Sequence, residues 1–207
     1  MKVLTRFVLS AADSNRFPPV TAPEIAFLGR SNVGKSSLIN SLVDNKIAKT
    51  SNTPGRTQTI NFFEIRWPGR PRPDIVFADL PGYGYAKVPR ELMAEWPKFI
   101  EPYLSTRASL ALCLCLVDAN IPPQKSDAQM VEWLRSAGRE FLVVATKADR
   151  VGNKLHASLT ALKRELGVES LLAYSAKTGT GKDELWKRIK DAGEAHLASK
   201  QPEHAPE

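Results

Sequence analysis

The chain has 207 residues, enough for one well-packed domain and short for two. Its hydrophobic share of 43% and charged share of 25% are those of a soluble globular protein. The longest apolar run, Ala108 to Val117, is about half of what a membrane-spanning helix needs, so no membrane partner is expected. The formal charge of +7 suits a polyanionic partner such as nucleic acid without requiring one.

In chain order, Met1–Ala12 is mildly basic and apolar. The polar Asp13-Ser14-Asn15-Arg16 follows where a cleavage site would stand, which argues against a signal peptide. Residues 1–22 read as an N-terminal extension to a domain over 23–196. From about residue 24 to 192, apolar runs alternate with amphipathic stretches, the pattern of an α/β sheet. Ile25–Leu28 is a short strand ending at Gly29, and Ser36–Val43 carries Leu38, Ile39, Leu42 and Val43 at helical spacing. Lys46–Thr59 has no periodicity and reads as a long loop. Ile60–Trp67 and Ile75–Leu80 are strands joined by a Pro/Gly/Arg turn at Pro68–Pro73, too short for a helical crossover, so the pair is antiparallel.

A second irregular segment opens at Pro81-Gly82-Tyr83-Gly84-Tyr85, and a helix is expected within Arg90–Leu104. Leu110–Val117, Phe141–Ala145 and Leu171–Ser175 are further strands, with helices around Lys125–Ser136, Lys154–Leu166 and Lys182–Ala195. The polar, Pro-bearing tail 197–207 is expected to be disordered. Cys113 and Cys115 lie two apart in one apolar run and read as reduced core residues, which places the protein in the reducing cytoplasm.

Three motifs carry chemistry. Gly29-Arg30-Ser31-Asn32-Val33-Gly34-Lys35-Ser36 fits the phosphate-cradling pattern G-x-x-x-x-G-K-[ST] between a strand and a helix. Gly29 and Gly34 permit the close approach, and loop N–H groups at the helix N-terminus face the β-phosphate. Lys35 adds a charge at the β/γ bridge, and the Ser36 hydroxyl can ligate Mg²⁺. Asp79-Leu80-Pro81-Gly82 follows a strand. Its carboxylate can hold Mg²⁺ through water, and the Gly82 N–H can meet the γ-phosphate. The loop Thr53–Thr59 must supply the last Mg²⁺ ligand in a switch GTPase. Thr57 is chosen, with Thr53 and Thr59 as alternatives that spacing does not separate.

The third motif reads the base. In Thr146-Lys147-Ala148-Asp149, the aspartate can accept from guanine N1–H and N2–H₂, a donor pair adenine lacks. The Lys147 stem can lie over the purine, and Tyr174-Ser175-Ala176 can present backbone N–H groups to guanine O6. Asp149 therefore argues for GTP over the ATP of a P-loop kinase or ATPase.

G-R-S-N-V-G-K-S-S-L-I-N, T-P-G-R-T-Q-x-I-N-F-F, D-L-P-G-Y-G-Y-A and T-K-A-D, in this order, resemble the EngB (YihA/YsxC) family of bacterial GTPases over roughly residues 5–192. The resemblance implies a cytoplasmic, monomeric GTPase acting in large ribosomal subunit assembly, and by older assignment in division septation. It implies phosphate contacts at Gly29–Ser36 and Mg²⁺ ligation by Ser36 and Thr57. Switch contacts fall at Gly55, Arg56, Thr57, Gln58 and Thr59 and at Asp79–Gly82, and guanine contacts at Thr146–Asp149 and Tyr174–Ala176. The expected catalytic groups are Lys35, Thr57 and Gly82. The implied fold is a three-layer α/β sandwich, a P-loop NTPase G domain with a mostly parallel sheet of about six strands and Ile60–Trp67 running antiparallel near the edge.

Two residues depart from the wider GTPase pattern. Thr146 replaces the usual Asn and keeps only a hydroxyl. Tyr83 stands where many GTPases place the glutamine that orients the attacking water, so slow intrinsic hydrolysis is expected, with a partner or K⁺ supplying the missing element. Asn32 resembles the P-loop asparagine that cradles K⁺ in related GTPases. A module that holds guanine nucleotide without turnover is the alternative. Arg56 is weighed as an arginine finger in cis, against a plain phosphate or RNA contact. Lys46, Lys49, Arg66, Arg70, Arg72, Lys87 and Arg90 are read as a basic face near the two loops, fit for ribosomal RNA.

Overall fold

The apolar run at 110–117 becomes a strand buried on both sides, β5 (Leu110–Asp118). Its alternation divides the core in two. Leu110, Cys113, Cys115 and Val117 face one hydrophobic cluster, whereas Ala111, Leu112, Leu114 and Leu116 face the other. The computed structural model describes residues 2–48, 59–83 and 100–200. Among them, β1 (Leu4–Ala11), β2 (Glu24–Gly29), β3 (Ile60–Arg66), β4 (Ile75–Asp79), β5, β6 (Phe141–Thr146) and β7 (Leu172–Ala173) form one sheet of 7 strands ordered β1-β3-β4-β2-β5-β6-β7.

Helices cover both faces. α1 (Lys35–Val43) buries Leu38, Ile39, Leu42 and Val43 on one face, beside Leu185, Trp186 and Ile189 of α4 (Lys182–Ala198). The opposite face takes Met130, Val131 and Leu134 of α2 (Lys125–Ser136), and Leu162 and Leu166 of α3 (Leu155–Leu166). The helical residues 100–106 lie there too, through Ile100, Tyr103 and Leu104. This is the three-layer sandwich the sequence implies. The stripe Leu155, Leu159, Leu162 and Leu166 packs as expected, the first two partly buried.

β3 runs against both neighbours, β1 and β4, and every other pair is parallel. The antiparallel strand expected near the edge is therefore found, second from it. The seventh strand comes from the stretch set apart as an extension: Leu4–Ala11 pairs along β3, with a register slip between Phe7 and Leu9. α4 also reaches Ala198, taking in the first two residues of the expected tail. β7 spans two residues where five were expected. Cys113 and Cys115 are buried free thiols, and burial pushes both up to about 12, as expected of inert core residues.

The chain leaves β2 to build β3 and β4 on one side and returns to build β5, β6 and β7 on the other. Strand order reverses at β2, and in open α/β sheets ligands bind beyond the C-terminal ends of the parallel strands at such a point. At the opposite ends, buried Glu24 accepts from Tyr103 Oη at 2.9 Å and from Arg107 Nη2 at 2.5 Å, and Arg107 Nη2 also donates to the Pro18 carbonyl at 2.7 Å. These bonds fix the approach of the chain into β2.

Candidate functional site

The loop after β2 is held by close backbone contact. Tyr83 N–H donates to Gly29 O at 3.2 Å and Ser31 N–H to Tyr83 O at 3.1 Å, so the segment after β4 lies against the phosphate loop. Gly82 makes this possible: a Cβ there would meet Ser31 Cα and N at 3.0 Å. Gly34, at φ +103, caps α1 in a backbone conformation that side chains rarely adopt. Among the described residues, the N–H groups of Asn32, Gly34, Lys35, Ser36 and Ser37 find no protein acceptor, which leaves five donors at the start of a helix.

Lys35, on the first turn of α1, pairs its ammonium with Asp79 Oδ1 at the end of β4. Both side chains are nearly buried, at 11% and 6% exposure, so this charge pair is weakly screened. Leu80 N–H donates to Phe27 O at 3.2 Å, and Leu80 and Pro81 are buried, which continues the line of β4 toward Gly82. The Ser36 hydroxyl has no protein partner among the described residues. A hydroxyl and a carboxylate are hard oxygen donors, the class that Mg²⁺ takes. The expected third ligand, Thr57, lies outside the described residues, with Thr53, Gly55, Arg56 and Gln58. Thr59 is described, and its hydroxyl lies 3.4 Å from Asn61 Oδ1.

Side chains tie the base-reading motif to the phosphate loop. Thr146 Oγ1 lies 2.6 Å from Val33 O and 3.0 Å from Val117 O, so the hydroxyl that stands in for asparagine does reach the loop. Lys147, at φ 57, donates from Nζ to Asn32 O at 2.8 Å and to Asp118 Oδ2 at 2.6 Å. Its stem thus runs between the two motifs. Asp149 is exposed and accepts from Ser175 Oγ at 2.6 Å; this hydroxyl bond, aided by Lys177 and Arg150, holds its carboxyl below the usual range.

Of the three N–H groups expected to face guanine O6, two are engaged. Tyr174 N–H donates to Ala145 O at 2.8 Å and Ser175 N–H to Thr180 O at 3.0 Å. Ala176 N–H alone has no acceptor among the described residues, and Ala176 is exposed. Ser175 contributes through its hydroxyl instead.

Asp118 is the site residue that sequence reasoning missed. The signal was a carboxylate closing an apolar strand, but its use depends on β6 bringing Lys147 alongside. Tyr83 also proves to be more than a missing glutamine. It is 8% exposed, with its hydroxyl 3.3 Å from Asp127 Oδ1 and 3.9 Å from Cys115 Sγ; burial raises its pKa well above that of a free phenol. Asp127 caps α2, accepting from Gln124 N–H at 3.1 Å, and burial raises its carboxyl.

A model described as a 50S ribosome-binding GTPase matches residues 24–147. A probable GTP-binding protein EngB of Koribacter versatilis is 67% identical over 193 residues, covering 93% of this chain and 95% of the relative. The probable EngB of Acidobacterium capsulatum is 61% identical over 100% of this chain and 99% of the relative. Among solved structures, a probable GTP-binding protein EngB superposes with a TM-score of 0.68 at 24% identity, over 83% of this chain and 99% of that one. Era bound to MgGDPNP and a 16S ribosomal RNA fragment gives 0.67 at 23% identity, over 91% of this chain and 59% of Era. At these identities the structural likeness speaks to the fold. Among the described residues, no helix is long and apolar enough to cross a membrane.

Proposed function

The chain belongs to the EngB family of GTP-binding proteins, a GTPase family, and we propose that it is a slow, Mg²⁺-dependent GTP/GDP switch acting on the large ribosomal subunit during assembly. The observation that carries this reading is the bridge made by Lys147. Its ammonium ties the phosphate loop at Asn32 to Asp118, while two residues on Asp149 stands oriented by Ser175. Phosphate and base recognition are thereby set at a fixed spacing, as a guanine nucleotide requires.

The roles follow from the chemistry of each group. The N–H groups left without an acceptor among the described residues and the Lys35 ammonium receive the phosphates, and Lys35 exchanges Asp79 for the β/γ oxygens on binding. Asp79, released from its lysine, and Ser36 would hold Mg²⁺ together with Thr57. When bound, Mg²⁺ would neutralise charge building on the phosphate oxygens. Gly82 N–H and Lys35 stabilise the transferred phosphoryl, while water attacks in line. Asp149 and Ala176 N–H read guanine from two sides.

The burial of Tyr83 supports slow turnover, because its hydroxyl is spent on Asp127 and Cys115. The missing element is then supplied by the ribosomal partner or by K⁺ at Asn32. If exchange of Na⁺ for K⁺ leaves turnover unchanged, K⁺ is excluded. The same burial favours a second reading, a guanine-nucleotide module without turnover; single-turnover kinetics with large subunits present separates the two. A cytoplasmic monomer with a single G domain, which takes β1 from the residues 1–22 set apart as an extension and ends with α4 at Ala198, and a link to septation, belong to the same proposal.

Equilibrium binding of GTP, GDP, xanthine nucleotide and ATP to the wild type and to Asp149→Asn tests the base site. Loss of two charge-assisted bonds should lower GDP affinity by about a hundredfold, with a shift toward xanthine nucleotide. ATP bound as well as GTP, or a mutant like the wild type, would remove the base-site assignment.

A further inference from the structure

The arginines of the β3–β4 turn do not share the nucleotide edge. β3 runs against its neighbours, so Arg66 at its end and the turn at 67–74 lie at the opposite pole. The five residues of β4 put roughly 15 Å of sheet between this turn and Asp79. The basic face expected near the loops is therefore divided. Arg66, Arg70 and Arg72 stand at the far pole, Lys46 is exposed just beyond the C-terminal end of α1, and Lys49, Lys87 and Arg90 lie outside the described residues.

The carboxylates of this region are already engaged. Glu64 is paired with Arg6 at 2.7 Å; Asp74 accepts the Trp67 N–H at 2.8 Å and lies only 3.9 Å from Arg70 Nε. Arg66 and Arg72 have no ion pair among the described residues. The turn is also firmly seated. The Trp67 ring lies 5.5 Å from that of Trp186, whose Nε1 donates to Leu42 O at 3.0 Å, and Lys190 Nζ sits 5.2 Å over Trp67. On α4, Arg188 is paired with Glu184 at 2.9 Å, and by sequence Asp191 and Glu194 offset the charges of Lys187 and Lys190, so the arginines of the turn add positive charge that this stretch of α4 does not cancel.

We propose that this pole docks on the phosphodiester backbone of structured RNA, and that the contact does not depend on the bound nucleotide. The proposal rests on the ribosomal reading above and names the surface that serves it. Guanidinium forks beside a fixed aromatic ring suit phosphates and stacked ends, and give no means of reading a base sequence in a helix. The turn is joined to the nucleotide edge by β3 and β4, and through Trp67 and Trp186 to α4 and the C-terminal end of α1, all regular elements. It holds the RNA in both nucleotide states, and the contacts that change with the nucleotide are left to the other edge.

The test is the full chain carrying Arg70→Glu and Arg72→Glu, two exposed turn positions. Its binding to purified large ribosomal subunits, and to a protein-free transcript of their RNA, is measured over a salt series with GDP and with a non-hydrolysable GTP analogue. GDP affinity and thermal unfolding serve as controls and should match the wild type. The expected result is a roughly tenfold weaker RNA affinity in both nucleotide states, with a slope of log K against log salt shallower by about 1.5. Unchanged affinity and slope, while the wild type binds subunits, overturns the proposal and leaves the ribosomal reading standing. A loss seen only with the GTP analogue overturns nucleotide independence. Subunit binding without any binding to free RNA assigns the contact to protein, which overturns it too. If the wild type binds neither probe, the ribosomal reading falls as well.

Discussion

The two halves of the nucleotide site are made of different material. The phosphate half is chiefly backbone, to which Lys35, Ser36 and Asp79 add their side chains: N–H groups without an acceptor among the described residues, a glycine at positive φ, and Gly82 lying against the Ser31 backbone. The base half is side chain: Thr146 on Val33 O, Lys147 on Asn32 O and Asp118, and Ser175 on Asp149. A cradle of backbone is damaged by added volume, because carbonyls and Cα atoms have nowhere to go. A site of side chains is damaged by lost polarity and tolerates changes of shape better.

Gly82→Ala should produce the largest effect of the three substitutions that sharpen this contrast. The new Cβ meets two backbone atoms of Ser31 at 3.0 Å, so the segment after β4 must retreat by a few tenths of an ångström. Misplacement of that order at a reacting centre costs about tenfold to a hundredfold in rate. GDP, lacking a γ-phosphate, should bind within a few-fold of the wild type. Single-turnover hydrolysis beside GDP titration checks this; equal losses in both would mean that the glycine serves the fold alone.

Thr146→Val keeps the volume and removes the hydroxyl. Val33 O and Val117 O then lose a donor beside a residue that is 3% exposed. The cost is about 1–3 kcal/mol, a fall in Tm of about 3–10 °C. Nucleotide affinity should weaken with it, because the same hydroxyl steadies the phosphate loop. A calorimetric Tm equal to the wild type would show that water replaces the bond without loss.

The contrast also explains what the sequence could reveal. Glycines at a phosphate loop keep a fixed spacing, because backbone geometry leaves one solution, and the strand before and helix after place the motif unambiguously. The doubly wound sheet was legible for the same reason, from buried runs such as Leu110–Val117. β1 was not, because its slip between Phe7 and Leu9 breaks the alternation and Leu4 and Phe7 stay exposed at the edge. Asp118 and the Ser175 hydroxyl were hidden too. Each acts on a residue 29 or 26 positions away, through neighbours that only the parallel register brings together. Tyr83 was correctly seen as no glutamine, yet its anchoring on Asp127 depends on where α2 starts.

Ser175→Ala should have the smallest effect at neutral pH and the most informative one in acid. The Ser175 hydroxyl is the main cause of the low pKa of Asp149, and guanine binding needs the carboxylate ionised. A depressed acid pKa means that binding persists below the usual carboxylate range and fails only as pH falls through the lowered value. Without the hydroxyl, Asp149 moves back up toward the usual carboxylate range, so affinity begins to fall at a higher pH than in the wild type. At neutral pH both forms are ionised, and what is lost is orientation, about threefold to tenfold in GDP affinity for one hydrogen bond. Lys177 and Thr178 N–H groups also lean on that oxygen, each at 3.2 Å, so the alanine loosens the loop carrying Ala176. Ser175→Thr keeps the oxygen and should restore both the affinity and the acid limb. If the alanine variant instead shows the wild-type pH profile with weaker binding throughout, the hydroxyl supports the loop and does not tune the carboxylate.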